Sequence, residues 1–257
     1  LEEGDFLKLL RMDPALYQPA AECALRGLWM LAGVLDARAL KIKKLSYQGT
    51  TGIGYGLVSF KVTREDPRRS FVERYEMLER RAREERRAAE DDHVRLARRA
   101  VETIVRTGKL PPVPAELPEE MTGRAGVYVT LTRDGTPRGT YGTFEPSAKS
   151  IADEITRNAA HAARNDTHVA PVTEEELDTL DITVDVLSEP ELVDGADALD
   201  PKTYGIIAES RGRKGVMLPA APGTETAEEQ LRAARKKGGI PEDAEIRIWR
   251  FTSERHA

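Results

Sequence analysis

The sequence predicts an α+β chain with a mainly antiparallel sheet. Alternating segments meet at tight turns, as in "GVYVTLTRDG" followed by "TPRGTYGTF" (126–144), and in "YGIIAES" and "GVMLPA" across "RGRKG". Helices with one apolar face are interspersed among them, two opening on capping-box patterns. Strand pairs that read as hairpins, rather than strands alternating singly with helices, point away from a parallel sheet.

Composition narrows the function classes. The 257 residues suffice for one large domain or two small ones. The most apolar stretch, residues 25–40, is interrupted by Arg26, Asp36 and Arg38, so no membrane-spanning helix is expected. The 39 basic and 44 acidic residues are interleaved, which gives no gathered basic surface for nucleic acid. Cys23 is the single cysteine, so no intrachain disulfide can form and a reducing, cytoplasmic setting is expected. The chain opens at Leu1 in what reads as mid-helix, and upstream sequence is expected to be missing.

Three pieces follow in order. Residues 1–62 hold a helix around Phe6–Leu10, an apolar helix from about Ala20 to Leu35, and two alternating strands over 39–49 and 55–62. Two helices and two strands bury little area, so this piece reads as the closing edge of a larger α/β domain. Residues 63–91 mix both charge signs at i,i+4 spacings and predict an exposed linker helix. Residues 92–257 form a whole domain. Asp92 caps a helix that Gly108 ends, and Asp134-Gly135 turns the first hairpin. A helix runs from about Ser147 to Arg164. Thr173/Glu176 and Thr226/Glu229 open two more, the latter stopping at Gly238-Gly239. "DITVDVLS" (181–188) and "AEIRIWRFTS" (244–253) alternate as strands.

The returning strand of the first hairpin carries the candidate site. Glycine weakens a strand interior, so Gly139 and Gly142 mark a close approach of something. Alternation puts Arg138, Thr140 and Gly142 on one face. A guanidinium beside bare backbone suits a carboxylate or phosphate. An internal ion pair for Arg138, with a helix packed on the glycines, accounts for the same residues, and the two readings stay open. His161, Asp166 and His168 lie close enough in sequence to share a metal, or to shape a helix end and its loop. "SRGRKG" (210–215) suits a solvated hairpin turn or a phosphate turn.

The run from Ala125 to Glu191, with Leu199–Pro219, resembles the AMMECR family, whose signature is a Leu-Arg-Gly-Cys-Ile-Gly strand after a Gly-Val-Phe-Val-Thr-Leu-type strand. The resemblance covers about 92–257. It departs at Pro137, Thr140 and Tyr141, where the family has Leu, Cys and Ile. Threonine in place of the thiol removes a candidate nucleophile. What the resemblance leaves is a ligand-binding strand of Arg138, Gly139, Thr140 and Gly142, with Asp166 and His168 lining the same cleft, and no cofactor in this domain. Residues 20–62 are similar to the C-terminal end of a Memo-like, class III extradiol dioxygenase-like domain, as in the fusions of the AmmeMemoRadiSam system. That likeness implies a Memo-type protein and a radical SAM enzyme as partners. It also implies iron in the complete upstream domain, with Glu22 or Cys23 near a ligand position and the histidine ligands outside this chain. The function expected from the residues is holding a small anionic ligand, or a substrate for the radical SAM partner, at the Arg138–Gly142 strand; the resemblance itself does not fix a reaction. The alternatives are a protein-interaction module, and part of an iron-dependent enzyme.

Overall fold

The computed structural model describes residues 1–17, 23–49, 52–165 and 169–257. Glu22, Asp166 and His168 therefore lie outside the described residues. The chain divides into two units, residues 1–88 and 89–257.

The first unit holds helices α1 (Phe6–Leu10), α2 (Pro14–Tyr17) and α3 (Leu25–Leu35), then a hairpin of β1 (Arg38–Gln48) and β2 (Tyr55–Glu65), and α4 (Phe71–Ala89). Its small core is Phe6, Leu9, Leu25, Ala32, Leu35 and Phe71. Phe71 belongs to the charged segment predicted as a linker over 63–91, yet its ring stacks on Phe6 at 5.2 Å. Asp36 Oδ1 accepts the Phe71 and Val72 N–H groups, which anchors the start of α4. Leu45, Tyr47, Tyr55 and Leu57 stay exposed along the hairpin.

The second unit runs through α5 (Asp92–Thr107), β3 (Val127–Arg133), β4 (Thr136–Thr143), α6 (Ile151–Arg164) and β5 (Leu180–Leu187). It continues with β6 (Glu191–Val193), β7 (Gly205–Ser210), β8 (Arg213–Met217), α7 (Ala227–Gly238), β9 (Arg247–Phe251) and β10 (Ser253–His256). Every strand pairing is antiparallel, in two sheets ordered β10-β5-β3-β4 and β6-β9-β7-β8. The α+β class predicted from the hairpins is what the chain forms.

Layering follows from side-chain alternation. Val127, Val129 and Leu131 of β3, with Ile182 and Val184 of β5, pack against α5 and α6. Ile206 and Ala208 of β7 pack against α7 through Ala234. The opposite faces of the two sheets meet through Tyr128, Leu187, Ile207, Val216 and Phe251. The order is helix pair, sheet, sheet, helix.

Several boundaries differ from the sequence reading, each for a local reason. Asp91, not Asp92, caps α5, because its carboxylate accepts the Val94 N–H at 3.0 Å. Helix α6 starts at Ile151 under a Ser150 cap, not at Ser147, because the Ser147 and Ala148 N–H groups go to the Glu154 carboxylate. The segment after Thr173 is a 3₁₀ helix (Glu174–Thr179) with both capping-box bonds formed. The final predicted strand is two strands, since Thr252 breaks it and β10 joins the other sheet beside β5.

Candidate functional site

The β4 strand answers the question its glycines raise. A Cβ on Gly139 would stand 2.3 Å from the Ala162 carbonyl oxygen, so α6 lies on bare backbone there. A Cβ on Gly142 would fall 2.2 Å from the Tyr128 ring, on the opposite face. Burial first, and Tyr141 nearby, push the Tyr128 phenol up to about 12. The second sheet repeats the first device. A Cβ on Gly215 in β8 would overlap the Ala234 carbonyl of α7. In each hairpin the returning strand gives up one side chain so that the next helix can seat its backbone on the sheet.

Arg138 sits where the β3–β4 register shifts, between Leu131↔Gly139 and Thr132↔Pro137. A bulge re-aims a side chain, so simple alternation does not carry Arg138 onto the Thr140 face. Its guanidinium is spent on its own chain. Nε and Nη2 donate to the two Glu176 oxygens at 2.7 and 2.8 Å. Nη1 donates to the Ala170 carbonyl at 2.8 Å and Nη2 to that of Pro171 at 3.1 Å. Glu176 also accepts the Thr173 N–H at 2.9 Å, as the capping box requires. Arg138 beside it holds its carboxyl down at about 2, despite the opposing effect of burial. Arg138 thus clamps the segment that leaves α6 onto the hairpin.

The other sequence candidates scatter. Thr140 pairs with Thr130, which pairs with Thr183, forming a threonine row across the sheet. His161 stacks on Tyr141 with ring centres 4.6 Å apart, and its Nδ1 meets Asn165 Nδ2 at 2.8 Å. Cys23 is exposed just ahead of α3. Arg211 and Gly212 of "SRGRKG" take positive φ, the backbone of a tight hairpin turn.

Sequence reasoning missed a buried network beside β4. Glu154, 1% exposed, accepts from the Thr143 hydroxyl, from Ser147 Oγ at 2.8 Å and from the Ala148 N–H at 2.6 Å. Burial pushes its carboxyl up, yet these donors prevail and hold it below the ordinary value. Asn158 Nδ2 completes the network by donating to the Val127 carbonyl at 2.8 Å and to Thr143 Oγ1 at 3.1 Å. An acid at the fourth helical position of α6, facing Ser147 and Thr143, was the signal.

Between the two sheets, past the end of β4, opens a cleft of about 190 Å³. Phe144, Ile207 and Trp249 form its apolar wall. Lys214 and Glu145 close the rim with a 2.7 Å ion pair, and Lys214 lies 5.0 Å from the Phe144 ring centre. Glu209, also lining the cleft, pairs with Arg247 at 3.1 Å. This arrangement offers apolar burial framed by paired charges. It lies where the two sheets meet, so each wall comes from a rigid strand or its immediate flank.

The second unit is thus a double-sheet α+β domain with a small apolar cleft between its sheets. Residues 94–256 match the AMMECR1 family, and the chain belongs to it. It is 35% identical over its whole length to Protein CA_C1420 of Clostridium acetobutylicum and spans 54% of that protein. A protein of Thermotoga maritima is 45% identical over 170 residues, covering 65% of this chain and 98% of its own length. Among solved structures, the uncharacterised protein PH0010 of Pyrococcus horikoshii is similar, with a TM-score of 0.59 and 32% identity. That match covers 63% of this chain and 88% of the other. Among the described residues, no helix is long and apolar enough to cross a membrane.

Proposed function

We propose that the AMMECR1 domain is an interaction module whose inter-sheet cleft takes one apolar side chain of a partner protein. The observation that carries this is the cleft itself: Phe144, Ile207 and Trp249 line a small opening with a Lys214–Glu145 rim. At about 190 Å³ it is smaller than the roughly 300–1,000 Å³ pockets that hold whole ligands, and suits a single anchor. A rim made of an ion pair complements a peptide's polar flanks rather than a lone anion. The partners implied by the family resemblance are a Memo-type protein and a radical SAM enzyme. The first unit fits the edge of a larger domain, because its two-stranded hairpin leaves Leu45, Tyr47, Tyr55 and Leu57 exposed. Iron chemistry, in this reading, belongs to that larger domain.

A second reading keeps the Arg138–Gly142 strand as a small-anion site. There the anion would replace Glu176 on Arg138 and open the clamp on the segment behind α6. The close pairing of Arg138 with Glu176 and two carbonyls favours the cleft instead. Peptide display on the full chain tests the first reading, with Phe144→Glu as counter-selection. Enrichment of peptides sharing one large apolar residue, retained by the parent and lost by the variant, is the expected result. Peptides that bind parent and variant alike would sink it.

A further inference from the structure

Asp91, His93 and His256 meet at one end of the second unit, although His256 is 165 positions from Asp91. Each offers one ligand atom, and these atoms all lie within 4.8 Å of one another. We propose that these three residues bind a first-row divalent transition metal of the zinc class, with water completing the shell. Two imidazoles and one carboxylate are the donor set such ions take, whereas magnesium and calcium prefer oxygen throughout.

The fold prepares each ligand. Asp91 caps α5: one oxygen accepts the Val94 N–H at 3.0 Å, and the other accepts from His256 Nδ1 at 2.6 Å. That backbone bond orients the carboxylate as an outer-shell contact orients a metal ligand. His93, on the first turn of α5, is 4% exposed, and its ring stacks on that of His256 with centres 3.8 Å apart. His256 is fixed by its strand: β10 pairs with β5, and Asp185 accepts from Ser253 Oγ at 3.0 Å and Arg255 Nε at 2.9 Å. Besides its burial, the charged groups acting on His93 are His256 and the carboxylates Asp91, Glu120 and Glu254. Binding replaces the proton between His256 Nδ1 and Asp91 with the ion, to which His93 adds the third ligand atom. The ion then ties β10 to the head of α5, joining an edge strand to the helix layer.

The test is equilibrium dialysis of the full chain against Zn²⁺, in a Cys23→Ser background that removes the thiol. One ion per chain is expected for the parent and for a His161→Gln control. His256→Gln and Asp91→Asn should each weaken binding about tenfold or more. Asp91→Asn is informative because asparagine still caps a helix, so lost affinity there is not lost folding. Metal-dependent loss of hydrogen exchange at β10 gives a second readout. No saturable zinc, or equal affinity in parent and both variants, overturns the proposal.

Discussion

Replacing Glu176 with glutamine removes the charge from the Arg138 clamp while keeping its shape. The carboxyl falls from an ordinary 4.5 to about 2 in the folded chain, chiefly through the Arg138 hydrogen bonds. A shift of that size corresponds to about 3.4 kcal/mol before screening. Solvent screening on the open side of the pair reduces this to about 2 kcal/mol. The glutamine oxygen can still accept from the Thr173 N–H and Arg138 Nη2, so the capping box survives, while the charge and the Arg138 Nε hydrogen bond are lost. Because the folded value lies below the unfolded one, this stability is fully present above about pH 4.5. It is lost as pH falls toward 2. The assay is urea unfolding of the full chain in a Trp29→Phe background, where Trp249 alone reports on the second unit. Parent and Glu176→Gln should differ by about 2 kcal/mol at pH 7 and converge as the pH drops from about 4.5 toward 2. A difference under about 0.5 kcal/mol at pH 7 would show that Arg138 is not committed to the clamp.

The same assay checks two further substitutions. Gly139→Ala forces its methyl into the Ala162 carbonyl and should cost about 1–3 kcal/mol, while Gly195→Ala, with open space around it, should stay within about 0.5. Equal effects would mean α6 does not rest on β4. Glu154→Gln keeps an oxygen for the Ser147 and Ala148 N–H donors but puts an NH₂ where the Thr143 and Ser147 hydroxyls now donate, and should cost about 1–3 kcal/mol at pH 7. That loss should shrink in acid, where the depressed Glu154 carboxyl of the parent protonates; a constant loss would contradict the network.

Local signals were legible where local chemistry decides. The Asp134-Gly135 turn forms with both residues at positive φ, and Thr226 and Glu229 make the reciprocal cap of α7. Gly139 and Gly142 did mark close approaches, but which partner approaches depends on helix seating, which no alternation pattern encodes. Glu145, seven positions on, is a sequence-near acid for an internal pair with Arg138. The bulge instead hands it to Glu176, 38 positions on, while Glu145 takes Lys214. The inter-sheet cleft was invisible because β9 and β10 read as one strand, and the break at Thr252 is what sends the chain between sheets. The Asp91–His93–His256 cluster was equally hidden, since only the β10–β5 pairing brings the distant histidine to the helix cap.

The most direct test of the account is a pair of titrations of the isotope-labelled full chain, one with indole and one with inorganic phosphate, followed by NMR. Indole should shift the Phe144, Ile207 and Trp249 resonances, while phosphate should leave the Arg138 Nε–H signal in place. Phosphate moving Arg138 and its neighbours, with indole leaving the cleft untouched, would contradict it and return the site to the β4 strand.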